Sequence, residues 1–137
     1  SCSLVGSEMC IRDSTPGDWQ KDSSGWRFKK SNGTEVKADW VKKNGIWYYL
    51  AENGYIVTGW NQVNGIWYYM DESGAMQKGW FLINGIWYYA HLDGARAVGW
   101  IYVKEHWYYL NEKGECLMDT VTPDGYQVDK NGAWIRQ

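Results

Sequence analysis

The sequence predicts an all-β solenoid of stacked β-hairpins, and three observations support this prediction. The pattern Gly-Trp-x4-Gly-Ile-Trp-Tyr-Tyr recurs about every twenty residues. A repeat of this length is typical of an array in which no unit buries a core alone, so that neighbours must stack. Asn-Gly pairs sit between short runs of aromatic and β-branched residues, which is the strongest short-range signal for a hairpin. Helical periodicity is absent.

The repeats divide the chain into two parts. Residues 1–15 contain no tryptophan, tyrosine or repeat pattern, and SLVGSEMCIRDS resembles a translated sequencing-adaptor remnant. We expect this segment to be foreign or disordered. Residues 16–137 form the predicted array, in which atypical first and last units are expected to act as caps. Its units start near Trp19, Trp40, Trp60, Trp80 and Trp100, with a degenerate C-terminal cap from Thr120.

The turn fixes which side chains share a face. If Asn44 and Gly45 form a two-residue type I′ turn, Trp40 lies opposite Tyr49 on the paired strand. Side chains alternate between faces, so Trp40, Trp47 and Tyr49 share one face and Tyr48 points to the other. The same count groups Trp60 with Trp67 and Tyr69, Trp80 with Trp87 and Tyr89, and Trp100 with Trp107 and Tyr109.

An aromatic face of this kind suits a quaternary ammonium ion. Electron-rich rings attract the cation, and each ring contributes on the order of 0.5–2 kcal/mol. A three-ring cage then gives roughly millimolar affinity, about −4 kcal/mol, which a repeating polymer ligand can strengthen through avidity. A purely structural interpretation stays open at this point, because the same rings could form the core between stacked hairpins.

Composition excludes several classes of function. The net charge of −2 and the pI of about 5.6 argue against a general affinity for nucleic acid or anionic membranes. No apolar run approaches the roughly eighteen residues of a membrane span. The odd cysteine count (Cys2, Cys10 and Cys116) supports no disulfide framework. No signal peptide is visible, so we expect the chain to be a fragment or the carboxy-terminal module of a longer protein.

Nothing in the chain predicts catalysis. His91 and His106 are the two histidines, and neither belongs to a metal-spaced cluster. The acidic residues fall in turn segments at the repeat spacing, where solvated side chains are expected. We therefore predict a non-catalytic chain without cofactor or metal, and any enzyme domain, such as a wall hydrolase, is expected upstream.

Two segments carry a family resemblance. GWNQVNGIWYYMDESGAMQKGW (59–80) and GWFLINGIWYYAHLDGARAVGW (79–100) resemble the choline-binding, or cell-wall-binding, repeats of Gram-positive bacterial and phage surface proteins. The resemblance covers about residues 18–134. It implies a left-handed superhelix of hairpins that binds choline groups of teichoic or lipoteichoic acid. It also implies an extracellular, wall-associated location at which the module anchors an attached domain.

The resemblance also implies site residues. In that family, two tryptophans of one repeat and the second tyrosine of the next form a site. Carried over, the sites are Trp40, Trp47 and Tyr69; Trp60, Trp67 and Tyr89; and Trp80, Trp87 and Tyr109. A further site uses Trp19, Trp26 and Tyr49, and Trp100 with Trp107 has Tyr126 as candidate partner. Met76 is expected against the ligand, whereas Arg96 at the matching position is expected to point to solvent.

A glycan-binding alternative remains. Related repeats bind α-glucans in streptococcal glucosyltransferases or glycans in clostridial toxins, and aromatic faces stack on sugar rings. The ending TPDGYQVDKNGAWIRQ resembles the terminus of clostridial-type wall-binding proteins. Two tryptophans in four consecutive units favour choline. The alternative function is binding of an α-glucan or of a wall or host carbohydrate, or a role as an adhesive repeat module on the same fold.

Overall fold

The computed structural model describes residues 14–136, and this part of the chain is all-β with no helix. Consecutive strands pair into two-stranded sheets. The strands are β1 (Gly17–Asp22), β2 (Gly25–Lys30), β3 (Asp39–Lys43), β4 (Ile46–Leu50), β5 (Gly59–Val63), β6 (Ile66–Met70), β7 (Gly79–Ile83), β8 (Ile86–Ala90), β9 (Gly99–Val103), β10 (His106–Leu110), β11 (Thr120–Val121) and β12 (Gln127–Val128).

The predicted hairpin register is confirmed in β3–β4. Trp40 lies opposite Tyr49, as the two-residue turn requires. Asn44 and Gly45 have φ of +54° and +81°, and positive φ at both positions is characteristic of a type I′ turn. The fifth hairpin keeps this turn although Lys104 and Glu105 replace Asn-Gly, with φ of +48° and +74°. The aromatic positions of β9–β10 therefore stay in phase with those of the other units.

The described residues divide into two compact units, each with its own core. The first unit holds residues 14–61 together with Tyr69–Met76, and the second holds Gln62–Tyr68 and residues 77–136. The buried core of the first comprises Phe28, Val36, Val41 and Leu50, with Trp19 and Ile56 packed against it. The core of the second comprises Ala97, Ile101, Leu110 and Cys116, with Trp80, Tyr89, Val103, Tyr108 and Met118 packed against it.

A repeating backbone hydrogen bond ties each hairpin to the segment that follows the next hairpin. The carbonyl of the second tryptophan accepts it each time, at 2.8–2.9 Å. The backbone N–H donates to the tryptophan carbonyl in five pairs: Ile56 donates to Trp26, Met76 to Trp47, Arg96 to Trp67, Cys116 to Trp87 and Trp134 to Trp107. Because the bond uses backbone atoms alone, it holds the exposed tryptophans in place whatever residue the linker supplies.

The start of the described chain pairs with β3. Lys42 N–H donates to Thr15 Oγ1 at 3.0 Å, and Asn44 N–H donates to Ser14 Oγ at 3.0 Å. Ser14 and Thr15, which the sequence assigned to the non-repeat segment, thus cover this edge of the hairpin. The rest of that segment, with Cys2 and Cys10, lies outside the described residues. Cys116 is a buried free thiol, and burial raises its pKa to about 11.

Candidate functional site

The two tryptophans of each hairpin differ in how much of the ring solvent reaches. The first is half-buried. In the four hairpins from β3–β4 to β9–β10 it packs edge-on against the second tyrosine of its own hairpin, as Trp80 does on Tyr89 at 5.0 Å, and in β1–β2 it packs on Phe28. The second tryptophan is exposed in every hairpin from β1–β2 to β9–β10, with 36–43% of its surface accessible. Trp80 and Trp87 lie 6.4 Å apart at an interplanar angle of 87°, so their rings form two perpendicular walls.

One aromatic cavity lies in the first unit. Trp19, Trp26 and Tyr48 line a space of about 300 Å³, and Ile56 closes one side. Trp19 meets Tyr48 edge-on at 4.9 Å between ring centroids. Glu72 and Ser73 border the opening. We call this the first cavity.

A matching cavity lies in the second unit. Trp80, Trp87 and Tyr108 line about 360 Å³, with Met118 as a further apolar wall. Trp80 meets Tyr108 at 4.9 Å, which repeats the spacing of the first cavity. Burial, followed by the charge of Asp129, raises the pKa of the Tyr108 phenol, so the ring stays neutral at physiological pH. Lys130 and Asn131 border the opening of this second cavity.

The C-terminal cap completes a third, larger cavity of about 490 Å³. It is lined by Trp100, Trp107, Asp124, Tyr126 and Trp134. Tyr126 stands edge-on to Trp100 at 5.8 Å and to Trp134 at 6.2 Å. Asp124 Oδ2 accepts a hydrogen bond from Trp100 Nε1 at 2.9 Å, so a carboxylate belongs to the wall of this terminal cavity. The predicted rings Trp100, Trp107 and Tyr126 are thus brought together, whereas Trp134 and Asp124 had not been predicted.

The tyrosine of the described cavities differs from the one that the resemblance implied. Tyr108, the first of its pair, faces Trp80, whereas Tyr109 packs on Trp100 of its own hairpin at 5.2 Å. The first cavity likewise contains Tyr48 and not Tyr49. Successive tyrosines point to opposite faces, and a neighbouring hairpin meets the tryptophan face with its own opposite face. The alternation of side chains between the two faces of a strand could therefore have identified Tyr48 and Tyr108 as the tyrosines of these cavities.

Other predicted rings also pack on a tyrosine of their own hairpin. Trp40 packs on Tyr49 at 5.0 Å and lies 6.3 Å from Trp47. Trp60, in the first unit, packs on Tyr69 at 5.0 Å. Met76 is buried, and its backbone bond to Trp47 repeats that of Ile56 to Trp26. Since Ile56 lines the first cavity, Met76 occupies the equivalent position of its repeat.

The expectation that Arg96 points to solvent is wrong. Its guanidinium lies 5.6 Å from the centroid of the Trp67 ring, and Nη2 donates to the Glu112 carbonyl at 3.2 Å. Burial lowers the pKa of this guanidinium. Cation–π attraction and packing of the aliphatic stem favour this placement over full hydration. Gly114 leaves room for it, because a Cβ there would lie 2.6 Å from Arg96 Cδ.

The two histidines lie apart from the aromatic cavities described above. Within residues 14–136 no group of three or more histidine, cysteine, aspartate or glutamate side chains could hold a metal ion. Both histidines are exposed. The ring centroid of His91 lies 6.1 Å from that of Tyr89, and the ring centroid of His106 lies 6.4 Å from that of Tyr108. No helix of the described chain is long and apolar enough to cross a membrane.

Comparison with protein families gives matches along most of the array. Models described as choline-binding repeats match residues 57–93 and 97–134, and a model described as a cell wall binding repeat matches residues 39–56. No curated protein matches the chain.

Several solved structures are similar to this chain. Choline binding protein F from Streptococcus pneumoniae is 38% identical over 88% of this chain and 40% of that chain, with a TM-score of 0.81. The choline binding domain of Spr1274 from Streptococcus pneumoniae is 44% identical over 58% of this chain and 96% of that one, with a TM-score of 0.54. The pneumococcal cell wall endolysin from phage Cp-1, complexed with choline, is 36% identical over 90% of this chain and 38% of that chain, with a TM-score of 0.64. Two further matches are CbpF in complex with ipratropium and CbpJ from Streptococcus pneumoniae, and the chain spans 39% and 41% of their lengths.

Proposed function

Because the chain belongs to the choline-binding repeat family, we propose that it is a non-catalytic module that binds choline groups through its aromatic cavities. The single observation that carries this proposal is the arrangement of Trp80, Trp87 and Tyr108. Two perpendicular indoles and a neutral phenol surround one space. Their negative ring faces attract a cation, and their apolar surfaces accommodate its methyl groups, which need no hydrogen bonds.

The exposed tryptophans argue against a purely structural role. A core residue would be covered by its neighbours, as Leu50 and Leu110 are, with no accessible surface. The second tryptophan instead keeps more than a third of its surface open in each of five hairpins. Large apolar surfaces held open at regular intervals are typical of binding sites. The first tryptophans therefore serve both core and cavity, and the second serve the cavity.

The ring angles favour a compact cation over a sugar. A sugar stacks its flat face on one exposed ring, whereas rings at 87° enclose a roughly spherical group. Each ring contributes on the order of 0.5–2 kcal/mol, which gives roughly millimolar affinity for a free cation. Several such sites along one chain convert weak steps into firm attachment when the ligand is a repeating polymer.

Anchoring to the cell wall belongs to the same proposal. Choline-bearing teichoic or lipoteichoic acid would supply the repeating ligand, and the module would hold an attached domain, such as a wall hydrolase, at the extracellular surface. The superhelical stacking of hairpins implied by the resemblance stays a prediction. So does the ligand role of Trp40, Trp47, Trp60, Trp67 and Met76. The glycan alternative is retained as an outcome of the test.

Tryptophan fluorescence during a choline titration tests the proposal, with sodium chloride as the ionic-strength control. We expect a saturable change in the millimolar range that salt does not reproduce. Trp87→Ala should reduce the amplitude, because it removes one wall of the second cavity. Ile86→Ala is the matched control, since Ile86 precedes Trp87 on β8, is 37% exposed and points to the opposite face.

Two outcomes would contradict the proposal. A response to an α-glucan oligosaccharide with none to choline would sink choline as the ligand and support the glycan alternative. A choline response that Trp87→Ala leaves unchanged would remove the second cavity from the proposal.

A further inference from the structure

We propose that the terminal cavity selects ammonium ions that retain an N–H bond, such as protonated tertiary amines, over the fully methylated ion. The inference rests on the proposed function and deepens it, because it assigns one of the cation sites a ligand preference of its own. Its basis is Asp124, whose carboxylate stands among the four rings Trp100, Trp107, Tyr126 and Trp134.

Two hydrogen bonds fix the Asp124 carboxylate within the wall. Oδ2 accepts from Trp100 Nε1 at 2.9 Å, and Oδ1 accepts from Thr122 Oγ1 at 2.5 Å. Thr122 is itself buried, and its hydroxyl oxygen also accepts from the backbone N–H of Tyr126 at 3.0 Å. The carboxylate is thus held directly by the Trp100 indole and, through the Thr122 hydroxyl, by the backbone of Tyr126.

The carboxylate is ionised at neutral pH. The hydrogen bonds from Thr122 and then from Trp100 lower the pKa of Asp124 below its usual value. A carboxylate offers about four acceptor positions. Side-chain donors occupy two of those of Asp124, and the backbone N–H of Asp124 itself also contributes. Because Asp124 is exposed and lines the cavity, acceptor capacity remains for a donor inside it.

This arrangement treats two kinds of ammonium differently. A quaternary ammonium has no N–H, so it meets the carboxylate only through methyl groups, which hold the charges farther apart. A protonated tertiary amine keeps most of its methyl surface for the rings and also donates a hydrogen bond to Asp124. Charge-assisted hydrogen bonds are the stronger class, so the tertiary amine gains more from this wall.

The other two described cavities offer no equivalent group. The second cavity has Lys130 at its opening, which is the opposite charge. Glu72 borders the first cavity from an exposed turn, and none of that cavity's rings donates to its carboxylate in the way that Trp100 donates to Asp124. A preference for N–H donors should therefore be confined to the terminal cavity.

Indole N–H signals in NMR spectra of the whole chain can test this in a single sample. The Trp100 signal reports the terminal cavity and the Trp87 signal reports the second cavity, each assigned from a Trp→Phe variant. Choline and N,N-dimethylethanolamine, which is protonated at neutral pH, are titrated separately. We expect the ratio of Kd for choline to Kd for the tertiary amine to be about three- to tenfold larger at Trp100 than at Trp87, since an exposed charge-assisted hydrogen bond falls at the lower end of its range.

Asp124→Asn removes the charge and keeps the shape. The amide oxygen can still accept from Trp100 Nε1, and the amide nitrogen can donate to Thr122 Oγ1. The variant should bring the ratio at Trp100 down to the value at Trp87. Glu52→Gln is the matched control, because it removes one carboxylate from an exposed turn that borders none of the three cavities.

The outcomes separate this inference from the proposed function. Equal ratios at Trp100 and Trp87 in the wild-type chain would overturn the inference while choline binding stands. A wild-type ratio that survives Asp124→Asn would also overturn it, because the preference would then come from the rings. If choline moves neither signal, the proposed function itself fails. Should the variant disturb the cap, the comparison of the two wild-type signals still decides.

Discussion

The first and second cavities lie in different units of the chain and have the same ring spacing from dissimilar sequences. The β1–β2 hairpin has Phe28 opposite Trp19, whereas the second cavity belongs to a regular repeat with Tyr89 opposite Trp80. The tryptophan nevertheless meets the tyrosine of the following hairpin at 4.9 Å in both cavities. Hairpin geometry, more than the identity of the intervening residues, therefore sets the spacing of the rings.

The openings of these two cavities differ although the turns that form them are alike. Asp71 Oδ1 accepts from the backbone N–H of Ser73 at 2.9 Å, and Asp129 Oδ1 accepts from that of Asn131 at 2.8 Å. The same turn thus presents Glu72 at one opening and Lys130 at the other. The comparison shows that the rings are fixed by the repeat, while the charge at the opening is free to vary.

The largest expected effect concerns the core beneath both cavities. Leu50 and Leu110 occupy equivalent positions and have no accessible surface. Leu50→Ala or Leu110→Ala should each lower the free energy of unfolding by about 2–5 kcal/mol, measured by urea denaturation, because a cavity remains in a packed core. Leu92→Ala, the same change at a residue that is 87% exposed, should have little effect. If Leu92→Ala lowered the free energy of unfolding as much as Leu110→Ala, Leu110 would not be part of a packed core.

The next effect tests which tyrosine completes a cavity. Tyr108→Ala should weaken ligand binding at Trp87 by about 2- to 30-fold, since one ring contributes about 0.5–2 kcal/mol. Tyr109 lies on the opposite face of the strand and packs on Trp100. Tyr109→Ala should therefore leave the ligand affinity measured from the Trp87 signal nearly unchanged. Tyr48→Ala should have the corresponding effect at the first cavity. Greater sensitivity to Tyr109 than to Tyr108 would restore the second tyrosine as the ligand-binding residue.

The sequence was sufficient for the hairpins and the composition of their faces. Asn-Gly turns have a loop of fixed length. Placing the turn at Asn44 and Gly45 was therefore enough to predict that Trp40 pairs with Tyr49. What a face meets depends on how hairpins stack, and spacing within one hairpin carries no information about that. Tyr108, Met118 and Lys130 come from three different segments that converge at the second cavity. The position of Arg96 on Trp67 likewise depended on space left by Gly114 in the next linker.

A smaller effect should follow from exchanging the charges at the two openings. Lys130 lies where it can attract the phosphate of a choline ester, whereas Glu72 would repel it. Lys130→Glu should lower the preference for phosphocholine over choline at the second cavity by about two- to fivefold, because exposed charges interact weakly. Glu72→Lys should raise that preference at the first cavity. Both shifts should shrink as salt is added, and shifts that are insensitive to salt would contradict an electrostatic origin.

The smallest effect concerns the apolar wall, where Ile56 closes the first cavity and Met118 the second. Met118→Ile and Ile56→Met exchange the two walls. Either change should alter the Kd for choline by less than about twofold, because each keeps an apolar surface of similar volume against the methyl groups. Met118→Ala in a parallel titration removes the wall and should weaken binding more than the exchange does. If Met118→Ile weakened binding tenfold while Ile56→Met strengthened it, the polarisable sulfur itself would contact the cation. The two cavities would then differ in their ligand contacts as well as in the charge at their openings.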